Sequence, residues 1–490
     1  MAEYDYIVVG GGPTGITLAT MLANTKHNTL LLESEPSLGG NWKIDWDKDT
    51  YLTEHSPKVL FTTNRLFFQL LDRIGYRSYT LNPVYGRFGN WKLVKKMWSE
   101  LSFRDMAQMV RLMTTNTQHI DPNQTLEDWS KRTAKLSLSG DRFLRTMTIV
   151  MANTYDKVSV RAFVHFVAVD PGIFFNLVQL DRPNEWIRCA TDYLREHAEN
   201  VTIRSNTHVV SVHTTTSQQY DGQGLQGHVI DSQGHTYHGA KIVLATPLRA
   251  AYEIVRRSPP RLQTNWFGSI DQFKHFVDRS TYTGFGFQLH FDVSVPVPSD
   301  WCWSCFHDWT IIVVPKDRLH DTISKDPKVK SVWSCVVVDL DTKAKRIGKT
   351  ANECDAIEEV VDECLHQLRE RSKHNLPKPY HVTVHKNIVR KDQRRWDSIH
   401  SSYANVMGSV PYRGTNTDNV FLVGPHNIGS LTIIEHAIRS AVRFGNDEGI
   451  NDDMFHEEPS SSATIGFVLM IVVWWIGLVV MTVRKRRIGK

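Results

Sequence analysis

Close cysteine spacing is scarce in this chain. Its six cysteines are scattered through 490 residues and only Cys302 and Cys305 stand as C-x-x-C, which argues against a disulfide scaffold. Cys302 and Cys305 lack two further ligands at a zinc-site spacing, so no metal is expected and the thiols read as reduced. A one-signed charge on the body is missing too. The net charge is +5, but five basic side chains and no acid lie in the last seven residues, RKRRIGK. The remainder is close to neutral, which argues against a nucleic-acid partner. No apolar leader precedes the first strand, which begins by Tyr4, so no secretory signal is expected. Hydrophobic residues at 41% and charged residues at 22% are ordinary for a globular protein with room for about two or three domains.

The strongest signal is Tyr6 to Glu33, YIVVGGGPTGITLATMLANTKHNTLLLE. Tyr6 to Val9 is an apolar, β-branched run of the kind found in buried parallel strands. Gly10, Gly12 and Gly15 then fit G-x-G-x-x-G. The first glycine permits a tight turn, the second lets a pyrophosphate approach the backbone, and the third lets helix pack on strand. Pro13, Thr14 and Gly15 open a helix whose N-terminal N–H groups would face the phosphates. A second strand, Thr29 to Leu32, ends at Glu33, about 18 residues beyond Gly15, where a carboxylate accepts hydrogen bonds from an adenosine ribose. Strand, glycines, helix, strand and acid in that order predict a dinucleotide site, and the acid disfavours a 2′-phosphate.

Further on, SEPSLGGNW brings Ser34, a flexible Gly39-Gly40 turn and Asn41, and TTNR precedes an amphipathic helix over Asn64 to Ile74. This series resembles the amine oxidase and carotenoid desaturase superfamily of FAD enzymes. LGGNW followed by LFTTN is also similar to the front of UDP-galactopyranose mutases, a redox-neutral branch of the same fold. The resemblance implies FAD as cofactor and an α/β architecture, a Rossmann-like FAD-binding domain with an α+β substrate domain, to which the hydropathy adds a C-terminal transmembrane helix. Its parts would be 1–80, 196–250 and 411–450 for FAD, 81–195 as a helical insertion and 251–410 as substrate domain. A linker (451–462), an anchor (463–483) and a basic tail (484–490) would follow.

The resemblance also assigns roles along the chain. Val209 and Val210, in the strand–turn–strand NVTIRSNTHVVSV, would pair with adenine, and Thr246 and Pro247 would stand near the flavin. In NVFLVGPHNIGSLTIIEHAIRSAVR, Gly424 would meet the pyrophosphate and Thr432 would start a helix. The N-terminus of that helix, at Ile433 and Ile434, would stabilise negative charge on the flavin. Three features depart from the family. The strand Thr281 to Phe291 offers Phe285, Gly286 and Gln288 inward but no lysine; Ile433 stands where an aromatic cage residue is common; and no cysteine is placed for a thioether link. His55 and His426 are acid–base candidates by position, with a structural role as the alternative for His426. Met106, Met109 and Met113 read as core, and Arg142, Arg145 and Arg161 as a solvated face.

Ala463 to Val483 is an uncharged stretch of about 21 residues, enough to cross a hydrocarbon core of roughly 30 Å. An acidic, serine-rich linker precedes it and Arg484 to Arg487 follow, which predicts a C-terminal membrane anchor. The positive-inside rule would keep that basic end cytosolic. Without a signal peptide, the main domain is instead expected to stay cytosolic while the tail inserts, leaving the sequons at Asn123 and Asn200 unused. Three readings stand. One is a membrane-tethered FAD oxidoreductase taking hydride from a small substrate, an amine or a lipid-soluble molecule. The others are a flavin-dependent sugar-nucleotide mutase and a non-catalytic membrane flavoprotein. Oligomeric state is not readable.

Overall fold

The structure is a computed structural model. It describes residues 3–457 except 62–63, 81–100, 115–119, 122–123, 151–153, 170–176, 181, 197–198, 215–225, 281–283, 296–303, 307, 317–322, 373–375, 392–394, 399–408, 429–432 and 451. The expected anchor 463–483, the basic tail, half of the linker, Thr432, Cys302 and Asn123 lie outside the described residues. Among those described, no helix is long and apolar enough to cross a membrane.

Strand β1 (Tyr4–Val9), helix α1 (Pro13–Ala23) and strand β2 (Thr29–Leu32) follow the sequence pattern closely. Both strands are buried on both faces, as a parallel sheet requires, and α1 is buried almost all round. Helix α2 (Arg65–Arg73) starts one residue after Asn64 and buries Leu66, Phe67, Leu70 and Leu71. Helices α3 (Phe103–Thr114) and α4 (Leu138–Val150) belong to the helical insertion. Its core includes Leu112, Trp129, Phe143 and Leu144, with Met109 buried among them and Met106 packed alongside.

One carboxylate starts both of these helices. Asp105 closes a capping box on α3: the Asp105 N–H donates to Ser102 Oγ (3.1 Å) and the Ser102 N–H to Asp105 Oδ2 (3.0 Å). The same carboxylate accepts the Ser137 N–H (2.8 Å) and hydroxyl (2.6 Å), serving α4, which has Gly140 where its own acid would stand. A methyl group at Gly140 would lie 2.7 Å from Asp105 Oδ1, which explains the glycine. Burial would raise the Asp105 carboxyl, but these hydrogen bonds outweigh it and hold it below the usual range.

Helix α5 (Glu185–Glu196) packs on α1, although the boundary expected at 195 groups it with the insertion. Then follow β3 (Val201–Arg204), β4 (Val209–Thr214), β5 (Gly227–Asp231) and β6 (Thr236–Leu244). The sheet order is β3-β2-β1-β6-β5-β4, parallel from β3 to β6 and antiparallel from β6 to β4. Strand β6 is longer than the segment read from Lys241 to Pro247, because its first half carries the β5–β4 meander. Helix α6 (Leu248–Arg256) leaves its end.

The second half is built on a five-stranded antiparallel sheet: β7 (Phe285–Phe291), β8 (Ser304–Phe306), β9 (Thr310–Pro315), β10 (Ser331–Val337) and β11 (His381–Val384), in the order β8-β9-β10-β7-β11. Helix α7 (Ile357–Ser372) supplies Val360, Cys364 and Leu368 to its core. Every residue of β7 is buried, so it has no single inward face as alternation predicted. A hairpin of β12 (Ile388–Lys391) and β13 (Arg395–Ser398) follows. The chain then returns to the first sheet: β14 (Val420–Leu422) pairs parallel with the second half of β6, and α8 (Ile434–Asp447) packs on α1. Glu435, in the first turn of α8, accepts the Leu66 and Phe67 N–H groups (3.1 and 3.2 Å) and so caps α2.

Candidate functional site

The site begins at the turn between β1 and α1. A methyl group at Gly15 would lie 1.9 Å from the Gly10 carbonyl oxygen, so only glycine lets α1 stand against the strand end. Gly12 is different. Its φ of −74° suits any residue, and the nearest atom its Cβ would meet is Gly40 Cα at 4.0 Å. No described protein atom explains that glycine, whereas a phosphate lying along the backbone would. No side chain caps α1, and its first position is Pro13, which has no N–H to satisfy.

Glu33 is 5% exposed at the end of β2. Its Oε2 accepts the Gly11 N–H at 2.6 Å, and its Oε1 accepts the Ser34 hydroxyl and the Glu35 N–H at 3.1 and 2.9 Å. A carboxylate has about four lone-pair sites, so one more donor fits there. A cavity of about 980 Å³ runs from this acid past the glycine turn into the space between the two halves. Gly10, Gly12, Pro13, Thr14, Glu33, Ser34, Gly40, Asn41, Val210, Gly424 and Ile433 line it, as do His55 and His426. Gly15 buttresses the turn from behind. Ile434 faces the core instead of the cavity, because the first turn of α8 packs inward on the first domain. The Thr246 hydroxyl, at the cavity wall, is a buried polar atom with no hydrogen-bond partner in the protein.

The far wall comes from residues that the sequence reading did not single out. His385 is held by two bonds: the Asn387 N–H donates to its Nδ1 (3.2 Å), so Nε2 carries the proton given to Asp45 (3.1 Å). Burial would raise Asp45, but the His385 hydrogen bond and the charges of Lys43 and Lys386 outweigh it and hold it well below the usual range. Arg249 of α6 donates to Asp397 of β13 at 2.9 Å, joining the two halves across the cavity.

His426 is 1% exposed, and burial pushes its ring down to about 3, so it is neutral at physiological pH. It can share hydrogen bonds but will not gain a proton there. His55 stands edge-on to His385 at 6.1 Å, on a loop that β7 can approach because Gly286 lacks a side chain.

No lysine lies on β7, yet two reach the same region from other elements. Lys316, just after β9, is fully buried 2.8 Å from Glu54, and Lys58 lies 3.5 Å from the other carboxylate oxygen. Gln288 of β7 holds the Glu54 backbone by donating to its carbonyl (2.8 Å) and accepting from its N–H (3.2 Å). Burial would raise the Glu54 carboxyl, but the charges of Lys316 and Lys58 hold it below its ordinary value. Burial pushes Lys58 down to about 8 despite Glu54, and the Lys316 charge adds to that push. The sequence gives no periodic signal for a triad drawn from three distant segments.

Residues 8–74 match a family model described as an NAD(P)-binding Rossmann-like domain. Among curated relatives, UDP-galactopyranose mutase of Mycoplasma pneumoniae is 32% identical over 117 residues, covering 24% of this chain and 28% of that protein. The Mycoplasma genitalium enzyme of the same name is 30% identical over 113 residues, 23% of this chain and 26% of the relative. A flavin-containing amine oxidase of Danio rerio is 24% identical over 143 residues, 26% and 27% of the two chains. These matches span about a quarter of the relatives' length. Solved structures cover far more. Putrescine oxidase bound to putrescine aligns over 91% of this chain and 99% of its own, with a TM-score of 0.61 at 12% identity. Cyclohexylamine oxidase from Brevibacterium oxydans IH-35A aligns over the same shares with a TM-score of 0.58 at 13% identity. The chain therefore has a Rossmann-like α/β fold of the amine oxidase kind.

Two substitutions separate packing from ligand contact at the turn. Gly15→Ala is expected to destabilise the fold and abolish dinucleotide binding. Gly12→Ala should leave the unfolding free energy within about 1 kcal/mol of the parent and still weaken dinucleotide binding at least tenfold, read by denaturation and titration. The buried triad gives a pH prediction. Lys58 loses its proton near 8 when folded and near about 10.4 when unfolded. The unfolded chain binds more protons in that window, so stability rises with pH across it. Lys58→Met should be more stable than the parent at pH 7 by about 1–3 kcal/mol, with the gap closing by pH 10. Urea denaturation at the two pH values checks it.

Proposed function

We propose that this chain is an FAD-dependent oxidoreductase of the amine oxidase type, acting on a small-molecule substrate in the cavity between its two halves. The observation that carries the reading is the convergence on one cavity of about 980 Å³ of the glycine turn, Glu33, β4, the Gly40 turn and the start of α8. The open space at Gly12 and the partnerless Thr246 hydroxyl fit a ligand with phosphates and polar edges. Gly10 to Gly15 and the N-terminus of α1 would hold the pyrophosphate, Glu33 the ribose and Val209 and Val210 the adenine. Gly424 would also meet the pyrophosphate, Gly40 and Asn41 would hold the ribityl chain, and Ile433 and the N-terminus of α8 the isoalloxazine. Bound there, FAD supplies an acceptor for hydride drawn from a carbon–nitrogen or carbon–carbon bond.

The protein's own contribution is position and environment. Ile433 lines the cavity and packs against the insertion core, so apolar surface excludes water at that end. His426 stays neutral and donates or accepts a hydrogen bond without exchanging its proton. The Asp45–His385 pair and the Arg249–Asp397 pair tie the substrate half to the FAD half. Ile433 in place of an aromatic cage favours an apolar substrate portion.

A second reading, flavin-dependent sugar-nucleotide mutase, is favoured by the two mycoplasma relatives, which are 30% and 32% identical over their matched stretches against 24% for the amine oxidase. We further propose that 463–483 anchors the protein to a membrane with the main domain cytosolic. The uncharged run between an acidic linker and a basic tail supports this. So does Asn200, whose side-chain amide is committed to the carbonyls of Leu22, Thr25 and His27 and is unsuited to carry a glycan.

Anaerobic absorbance spectra of the purified chain test the reading. Flavin bands that bleach with an amine or lipid donor are expected. Bleaching by dithionite alone, with UDP perturbing the reduced spectrum, would transfer the assignment to the mutase. A colourless chain that FAD cannot reconstitute would overturn both.

A further inference from the structure

Three histidines stand in one row across the β4–β5–β6 meander. His228 of β5 is the register partner of His213 in β4 on one side and of His238 in β6 on the other. Neighbouring ring centres are 4.8 and 5.4 Å apart, the first pair parallel within 2° and the second inclined at 42°. The row is open to solvent, with His238 exposed and the other two half-buried. By the same register the row beside it is Ser211, Ile230 and Thr236, which carries no charge. Ser211 Oγ lies 3.3 Å from His213 Nε2. Among the described residues, no hydrogen bond occupies the ring nitrogens of His228 or His238. None of the three lines the cavity.

Neutral imidazole is a good ligand for copper, nickel and zinc and a poor one for magnesium and calcium. Two imidazoles that hold one such ion at about 2.1 Å set their ring centres roughly 4.5–5.2 Å apart, for angles from square to tetrahedral. The His213–His228 spacing falls inside that window and the His228–His238 spacing just beyond it. Sheet pairing fixes the backbone of all three residues. The adjustment left is a turn about χ2, which is a soft torsion in histidine. Among the described residues, no three His, Cys, Asp or Glu side chains form a closed metal group. The arrangement is therefore an open chelate of two imidazoles, with water completing the ion's shell.

We propose that this row is a solvent-facing site for one divalent transition ion, Cu²⁺ ahead of Ni²⁺ and Zn²⁺. His228 is the shared ligand, His213 its first partner and His238 the substitute. With no carboxylate in the row or beside it, hard cations have nothing to bind. The site lies outside the cavity and is independent of the flavin reading.

The test uses the full chain as purified, freed of metal by a chelator. Calorimetric titration with Cu²⁺, Zn²⁺ and Mg²⁺ should show a single saturable site, tighter for Cu²⁺ than for Zn²⁺ and silent to Mg²⁺. Electron paramagnetic resonance of the Cu²⁺ form should show nitrogen splitting from two imidazoles. His228→Asn should weaken binding about a hundredfold, the gain that a second attached ligand gives. His213→Asn should weaken it less, and the double variant His213→Asn with His238→Asn should match His228→Asn. His275→Asn, at an exposed histidine of the helix Ile270–Ser280, should change nothing. Melting without metal checks each fold, and the double variant carries the test should His228→Asn lower the Tm by itself. Cu²⁺ binding that survives both His228→Asn and the double variant would place the ion on other histidines and overturn the proposal. Absence of saturable binding would leave the row a packed stack and overturn it as well.

Discussion

Helix α1 stands so close to the end of β1 that a side chain on Gly15 would overlap the Gly10 carbonyl, 1.9 Å from its first carbon. That approach sets where the α1 N-terminus points and how near Gly12 comes to the Gly40 turn. It also leaves Gly11 to donate its N–H to Glu33. Glu33 and the glycine turn are thus fixed to one another by a hydrogen bond from a backbone N–H. The returning β14 and α8 close the same frame from the other end of the chain, with α8 packed on α1 and Glu435 capping α2.

The second half is attached to this frame by polar contacts of unequal cost. The pairs Arg249–Asp397 and His385–Asp45 stand at the cavity edge, where water screens part of their charge. The Lys58–Glu54–Lys316 triad is buried, with two cations on one anion. A buried surplus charge is a poor way to stabilise a fold. The triad adjoins His55, which lines the cavity. Asp105 plays a different part, holding two helix starts at the outer surface of the insertion with a single carboxylate.

What could be read from the sequence was local. β1, α1 and β2 lie where the periodicity and the glycines put them, because each signal spans only a few residues and one physical requirement. The far wall was not legible. Asp45, His385 and Lys386, or Arg249 and Asp397, are separated by more than a hundred residues, and an ion pair leaves no periodic trace. The strand over Phe285–Phe291 misled for a related reason: buried on both faces, it has no inward side to read. That strand has no lysine, but Lys58 and Lys316 reach the region from neighbouring elements. Ile434 was grouped with Ile433 at a helix start, but a single residue of helical rotation turns it into the core.

The account depends on the cavity being shaped for the adenosine half of its ligand as well as for the flavin. Titration of the apo chain with FAD and with FMN tests this most directly. Glu33 and β4 would contribute only to FAD, through a hydrogen bond to a charged acceptor worth about 1.5–3 kcal/mol and the burial of adenine. FAD should therefore bind at least about a hundredfold more tightly than FMN. Equal affinities, or FMN favoured, would contradict the assignment of the glycine turn and Glu33 to a dinucleotide.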